Sequence, residues 1–377
     1  MDILGAVGEA LYTAAGLLWR AAWALALGYA VSAAIQVFVS RSQAAKYLGE
    51  GTPRQLGLAA VLGFASSSCS FAALAATRSL WTKGAALTAA LAFMFASTNL
   101  AVEVAALAWI FLGWQYAAAL FVGAPMLIAV MAVLIRLTTP KSLAREALEH
   151  ARKAEGMDMD PSQGLPDRFG ARVRDDRAWH RMGSAYFSEW SMVYKELIVG
   201  FVVAGAVAAL VPPSFFQAIF PEGGSDWYLV PVQALLAPLL AFVTVIGSMG
   251  NGPLAAVLAN NGVVFGAIMT FLYADFLVPP ALKINANYYR WRFAVYLGVV
   301  FAVAAVITGI VVHGLFTVLG LLPEGAKDLG ELATFAIDYT FWLNLVALTV
   351  AAVMLVLSRK NSARTASSLD QSETAGA

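Results

Sequence analysis

Two short polar stretches could carry chemistry in this chain. Ser66-Ser67-Ser68-Cys69-Ser70 sets four hydroxyls around the single thiol of the sequence. Gly247-Ser248-Met249-Gly250-Asn251-Gly252-Pro253 offers a hydroxyl, an amide and a glycine-rich backbone open to close approach. No base stands near either stretch, so a catalytic thiol is not expected. The glycine run also lacks the lysine of a phosphate loop, and no ATPase signature occurs elsewhere. These groups suit the binding of a small solute rather than bond cleavage. As a soft ligand, Cys69 would favour soft metals or thiol-seeking metalloids. Read more plainly, it is a small apolar filler, and the serines and glycines are small residues that pack helices tightly.

Two carboxylates accompany these stretches. Glu103 follows Asn99 by four residues, which would place both on one helix face. Asp275 lies in FLYADFLVPP. Both sit in apolar runs, where a charged side chain costs roughly 2.5–3.5 kcal/mol and so tends to face an interior path. Asn99, Glu103 and Asp275 are therefore candidates for coupling or gating, with a proton as the simplest coupled ion. The alternative places both carboxylates nearer an interface. His150, His180 and His313 show no ligand spacing, and one cysteine excludes an internal disulfide or a multi-thiolate metal site. No cofactor is expected.

The elements that must hold these residues belong to a membrane protein. The 377 residues are 60% hydrophobic and 12% charged, with a mean hydropathy of +0.73. A soluble domain carries about 25% charged residues. From Phe293 to Phe316 there is no Lys, Arg, Asp or Glu, which exceeds the roughly 20 residues that span a bilayer. The lipid bilayer is thus the first partner. The net charge of +1 gives no basis for nucleic-acid binding. The start, MDILGAVGEA, lacks a basic n-region, so no cleaved signal is expected.

Hydropathy marks apolar segments near 11–39, 56–80, 84–111, 115–136, 195–211, 229–262, 263–281, 292–318 and 336–358. Lys141 to Glu155 reads as a helix, and the remainder of 137–194 as loop. Lys and Arg collect in 41–55, 78–83, 137–194, 282–292 and the tail, whereas 212–228 has none. The first set is expected inside and the second outside. Segment 56–80 then begins and ends on one side and must be re-entrant, with its break near Ser66–Ser70. Segment 229–262 must enter from the other face, with its break at Gly247–Pro253. Seven crossings would remain. The competing reading makes both hairpins ordinary spanning pairs.

A shift of 178 residues puts Ser70 on Ser248, Leu80 on Leu258, Gly84 on Gly262, Ala89 on Ala267, Phe93 on Phe271 and Ala96 on Ala274. The fold expected is an all-α polytopic membrane protein: an inverted-topology repeat with two re-entrant helical hairpins plus one extra C-terminal transmembrane helix. Its parts are a first repeat at 1–136, a cytoplasmic loop at 137–194, a second, inverted repeat at 195–318, an added helix at 319–358 and a disordered tail at 359–377. A polar, helix-breaking centre in each copy of such a repeat is the usual place of a transporter's binding site.

The stretches SSSCSFAALAATRSLWTKGAALTAALAFMFASTNLAVE and GSMGNGPLAAVLANNGVVFGAIMTFLYADFLVPP resemble the paired motifs of the YraQ-type predicted permeases, the family that includes the organoarsenical efflux permease ArsP. The resemblance covers roughly residues 20–318. It implies a permease, with Ser68, Cys69 and Ser70 matching the first motif's serines and cysteine. The second motif often opens with a cysteine, and here that position is Gly247. The resemblance therefore does not imply that two thiols grip one arsenic or metal atom. A secondary transporter, most simply for efflux of a metalloid or metal-containing solute, is the leading expectation. A passive channel of the same architecture and a non-transporting assembly or sensor protein are the alternatives.

Overall fold

Chain segments this apolar can satisfy their backbone groups inside a bilayer only by helix or closed barrel, and here the solution is helical. The computed structural model describes residues 3–38, 47–66, 70–153, 164–166, 169–210, 220, 226–244, 248–323, 335, 337 and 339–374, and no strand occurs among them. The first half comprises α1 (Ile3–Phe38), α2 (Pro53–Ser66), α3 (Ser70–Thr82), α4 (Leu87–Asn99), α5 (Val102–Phe111) and α6 (Trp114–Thr138). Between the halves lie α7 (Lys141–Lys153) and the short α8 (Phe169–Val173). The second half comprises α9 (Asp176–Leu210), α10 (Asp226–Thr244), α11 (Ser248–Asn260), α12 (Phe265–Tyr273), a 3-10 turn at Asp275–Leu277, α13 (Pro279–Tyr289) and α14 (Trp291–Val318). The last helix is α15 (Tyr339–Thr374). It continues through the polar residues after 359, where composition alone predicts disorder.

Helix ends repeat at the 178-residue shift. Helix α3 maps onto α11 at both ends, α2 and α10 end together, α4 and α12 begin together, and α5 and α13 end together. The turn chemistry repeats as well. Gly84 and Gly262 take φ of 105° and 82°, the left-handed region that glycine enters at little cost. The next residue closes each helix with the same bond, Ala85 N–H to Leu80 O at 3.0 Å and Val263 N–H to Leu258 O at 3.2 Å.

The halves meet through equivalent helices that run antiparallel. On α1 and α9, Phe38 packs on Trp179 with ring centroids 5.1 Å apart and Tyr29 packs on Trp190 at 5.0 Å. At the other end of this pair, Gly205 lies against Ala10 and Ala14. On α6 and α14, Gly123 abuts Val312. The hydroxyls of Thr138 and Thr139 lie 2.8 and 2.7 Å from the Tyr296 hydroxyl.

Two sequence expectations are revised. Segment 84–111 is not one helix. It breaks after Asn99 and bends by 41° into α5. Residues after 155 are not all loop either, because α9 begins at Asp176. Ala178, Met182, Ala185 and Tyr186 are buried at helical spacing. Their polar neighbours dilute the average hydropathy that marks spans. Among the described residues, four helices are long and apolar enough to cross a membrane: Ala10–Ala30, Trp114–Thr138, Trp291–Val318 and Tyr339–Arg359. The bent pair Leu87–Asn99 and Val102–Phe111 would make a fifth.

Candidate functional site

Ser66 ends α2 and Ser70 opens α3, whereas Ser248 to Pro253, where the sequence predicts a break, form the first turns of α11. Helices α2 and α3 have 14 and 13 residues, roughly 20 Å each at 1.5 Å per residue, against about 30 Å of hydrocarbon. Gly51, before α2, lies against Ala86 and Thr88 at the start of α4, and Gly63 farther along lies against Phe93 and Ala96. Helices α2 and α4 thus run side by side in the same direction, and α3 leads back from the end of one to the start of the other. The Ala86 N–H donates to Leu48 O at 2.8 Å, so the residues before α2 and those before α4 meet at one place. In the second half, the equivalent Val264 N–H donates to Gln233 Oε1 at 2.8 Å.

Ser66 and Ser70, which end α2 and open α3, are 5% and 6% exposed. Ser67, Ser68, Cys69 and Gly247 lie outside the described residues. Ser248 opens α11. Asn251 and Pro253 are buried in that helix. Pro253 brings no N–H, so the Met249 carbonyl loses its helical donor. Gly252 brings α11 close to Leu107 and Phe111 of α5. Asn251 is 1% exposed, and neither amide atom makes a hydrogen bond. Burying such an amide unbonded costs on the order of 1–3 kcal/mol. A polar solute that supplied partners would recover that cost.

A second pair of breaks, not anticipated from the sequence, lies between the hairpins and the long helices. Helix α4 stops at Asn99, and Ala101 leaves the helical conformation with φ −55° and ψ 132°. Helix α12 stops at Tyr273, and Pro279 and Pro280 open α13 after the 3-10 turn. Both breaks sit in the middle of the bundle: residues 88–99 and all of α12 are buried. Asp275, 1% exposed, stands on the second break. The Thr98 and Asn99 side chains of the first break flank its carboxyl group. Its Oδ1 makes no hydrogen bond. The rings of Phe95 and Phe276 meet edge to face at 5.5 Å and hold the breaks together.

The structure thus joins Asn99 with Asp275 and separates Asn99 from Glu103. The shared face expected for residues four apart is lost because the helix ends between them. Glu103 stands in the first turn of α5, where the positive end of the helix favours a carboxylate. It packs against Gly28 of α1, at a position where a Cβ would overlap it. Sequence reasoning also missed Thr98, although its place beside Asn99 in the first motif was a usable signal. Arg78, expected in a connecting link, is buried in α3 with its guanidinium 4.5 Å from the Tyr288 ring centre. Among the described residues no cluster of His, Cys, Asp and Glu could hold a metal ion.

Buried polar groups at breaks in apolar helices, tied into a repeated bundle, define an integral membrane protein of the permease class. The chain belongs to the family described as ArsP_1, predicted permease, which matches residues 6–314. It is 40% identical over 360 residues to "Putative permease Rv2963" of Mycobacterium tuberculosis, covering 94% of this chain and 88% of the relative. No solved structure matches the chain.

Proposed function

We propose that this permease is a secondary transporter of the cytoplasmic membrane that exports a small solute through a site near the bilayer midplane. Two re-entrant hairpins, α2–α3 and α10–α11, enter from opposite faces and present Ser66 to Ser70 and Gly247 to Pro253 to that site. The antiparallel pairing of the equivalent helices α1 with α9 and α6 with α14 carries this reading. A two-fold axis perpendicular to spanning helices lies in the membrane plane and inverts one half relative to the other. The basic segments agree, since they place the two hairpin mouths on opposite sides. Helices α2, α3 and α11, with 14, 13 and 13 residues, are each too short to span, and Ala86 is bonded back to Leu48 across the first mouth.

The solute we infer is a soft metalloid or metal-containing compound, because the first turn combines serine hydroxyls with the thiol of Cys69. Asn251 supplies an amide from the second hairpin, and Asp275 with Asn99 supplies the coupling charge. Uptake of a trivalent organoarsenical from the medium into everted vesicles provides the test. Saturable, gradient-dependent flux is expected, with loss on Cys69→Ser and Asn251→Leu. Flux that neither saturates nor responds to an ion gradient would indicate a passive channel and overturn the proposal. Cys69 should also react with thiol reagents from the cytoplasmic side and be protected by the solute.

A further inference from the structure

The negative ends of two broken helices converge on one buried carboxylate. Helix α4 terminates at Asn99 and α12 at Tyr273, and each last turn presents carbonyl oxygens with partial negative charge. Asp275 follows two residues after Tyr273, flanked by Thr98 and Asn99 from the opposing break. The Asn99 amide nitrogen donates to the Thr98 hydroxyl oxygen at 3.3 Å, which leaves the amide oxygen as an acceptor. Asp275 Oδ1 is buried and makes no hydrogen bond. Among the described residues, no lysine, arginine or histidine forms an ion pair with it. Neither 84–111 nor 263–282 contains a lysine or arginine.

An ionised carboxylate taken out of water without a counter-charge costs several kcal/mol. The C-terminal residues of α4 and α12 lie beside Asp275, and their remaining carbonyl dipoles add to the negative potential. Such a site calls for a positive charge, and its groups are hard oxygen donors: carboxylate, hydroxyl, amide oxygen and main-chain carbonyl. Thiols and imidazoles are absent from this set. Half-helix C-terminal ends and unwound carbonyls are the devices by which discontinuous membrane helices hold alkali cations.

We propose that Asp275, Thr98 and Asn99 form a binding site for a hard monovalent cation, sodium in the first instance, at the crossing of the two broken helices. The site deepens the transporter reading and rests on it for its role: sodium bound between the halves couples the ion gradient to their movement. Binding itself does not need the solute.

The test uses the full-length protein in detergent, with thermal unfolding followed in NaCl, KCl or choline chloride at matched ionic strength. A saturable rise in midpoint with NaCl, absent in choline chloride, is expected. Asp275→Asn should abolish it. Thr98→Val and Asn99→Leu keep the carboxylate and should each raise the half-saturating sodium concentration at least tenfold, so the result does not hinge on one variant folding. Equal midpoints in all three salts would overturn the site, as would a sodium response unchanged in Thr98→Val and Asn99→Leu. Stabilisation that follows pH alone would overturn it too, since the carboxylate would then take only a proton. A protein that shows the sodium response yet moves no solute in vesicles keeps this site and loses the transporter reading. Solute flux without any sodium response does the reverse.

Discussion

The Tyr273 hydroxyl fills the space above Gly123 and donates to the Ala119 carbonyl at 2.8 Å. This contact ties the broken helix of the second half to α6 of the first, two residues from Asp275. A Cβ at position 123 would collide with the hydroxyl. Gly123→Ala should therefore destabilise the protein strongly. Tyr273→Phe should cost only about 1 kcal/mol, because the Ala119 carbonyl keeps its place in the α6 helix. The double variant should be more stable than the two losses added together, because removing the hydroxyl relieves the closer of the methyl's two overlaps with the ring. Additive losses in thermal unfolding would show that the collision is relieved some other way.

The carboxylates should separate in function. Asp275 faces the opposing break, whereas Glu103 lies in the first turn of α5 against α1. Asp275→Asn should abolish gradient-driven flux. Glu103→Gln should leave flux measurable and lower stability by about 0.3–1 kcal/mol through the weakened helix-end interaction. Flux assays on both variants in vesicles decide it. Equal abolition would return Glu103 to the coupling machinery.

The contact between α10 and the start of α12 depends on Gln233. It is fully buried, and its side chain receives the Val264 N–H at 2.8 Å. Gln233→Leu leaves that donor without its acceptor, at a cost of about 1–3 kcal/mol. Hydrogen exchange of the Val264 amide should accelerate while that of Ala86, at the equivalent position in the first half, stays slow. Equal acceleration at both sites would mean that the hairpins loosen as a unit.

Helix α9 has a pH-dependent start outside the membrane. Asp175 accepts the Arg177 N–H at 2.9 Å and pairs with the Arg177 side chain at 2.8 Å. That pairing holds the carboxyl below its ordinary range. A depressed folded value means that the cap contributes fully above the ordinary carboxyl range and is lost as pH falls through the folded value. Asp175→Ala should cost about 1 kcal/mol at neutral pH, and this difference from the native chain should shrink in acid. Exchange rates of the amides at 176–179, followed from pH 7 to pH 3, provide the measurement.

Much of this organisation was legible in residue order. Composition and run length suffice for a membrane protein, because apolar stretches near 20 residues have no other stable environment. The repeat was visible in Gly84 and Gly262, whose left-handed turns tolerate little else. Serines mark the end of α2 and the start of α3, but Gly250, Gly252 and Pro253 did not break the second helix, because each is carried within α11. The start of α9 was hidden by its polar face, since its apolar residues matter only where α1 covers them. The breaks at Asn99 and Tyr273 were hidden because Ala, Leu and Val around them are ordinary helix residues.

Local chemistry therefore decided that this chain enters a bilayer and which polar groups it must carry there. Tertiary packing decided which of those groups meet. It ended α4 one turn before Glu103, sent that carboxylate to α1 and placed Asn99 beside Asp275, 176 residues away. The reason is physical: a helix stops where packing against its neighbours outweighs one more turn of hydrogen bonds. No residue pattern within a single segment reports that balance.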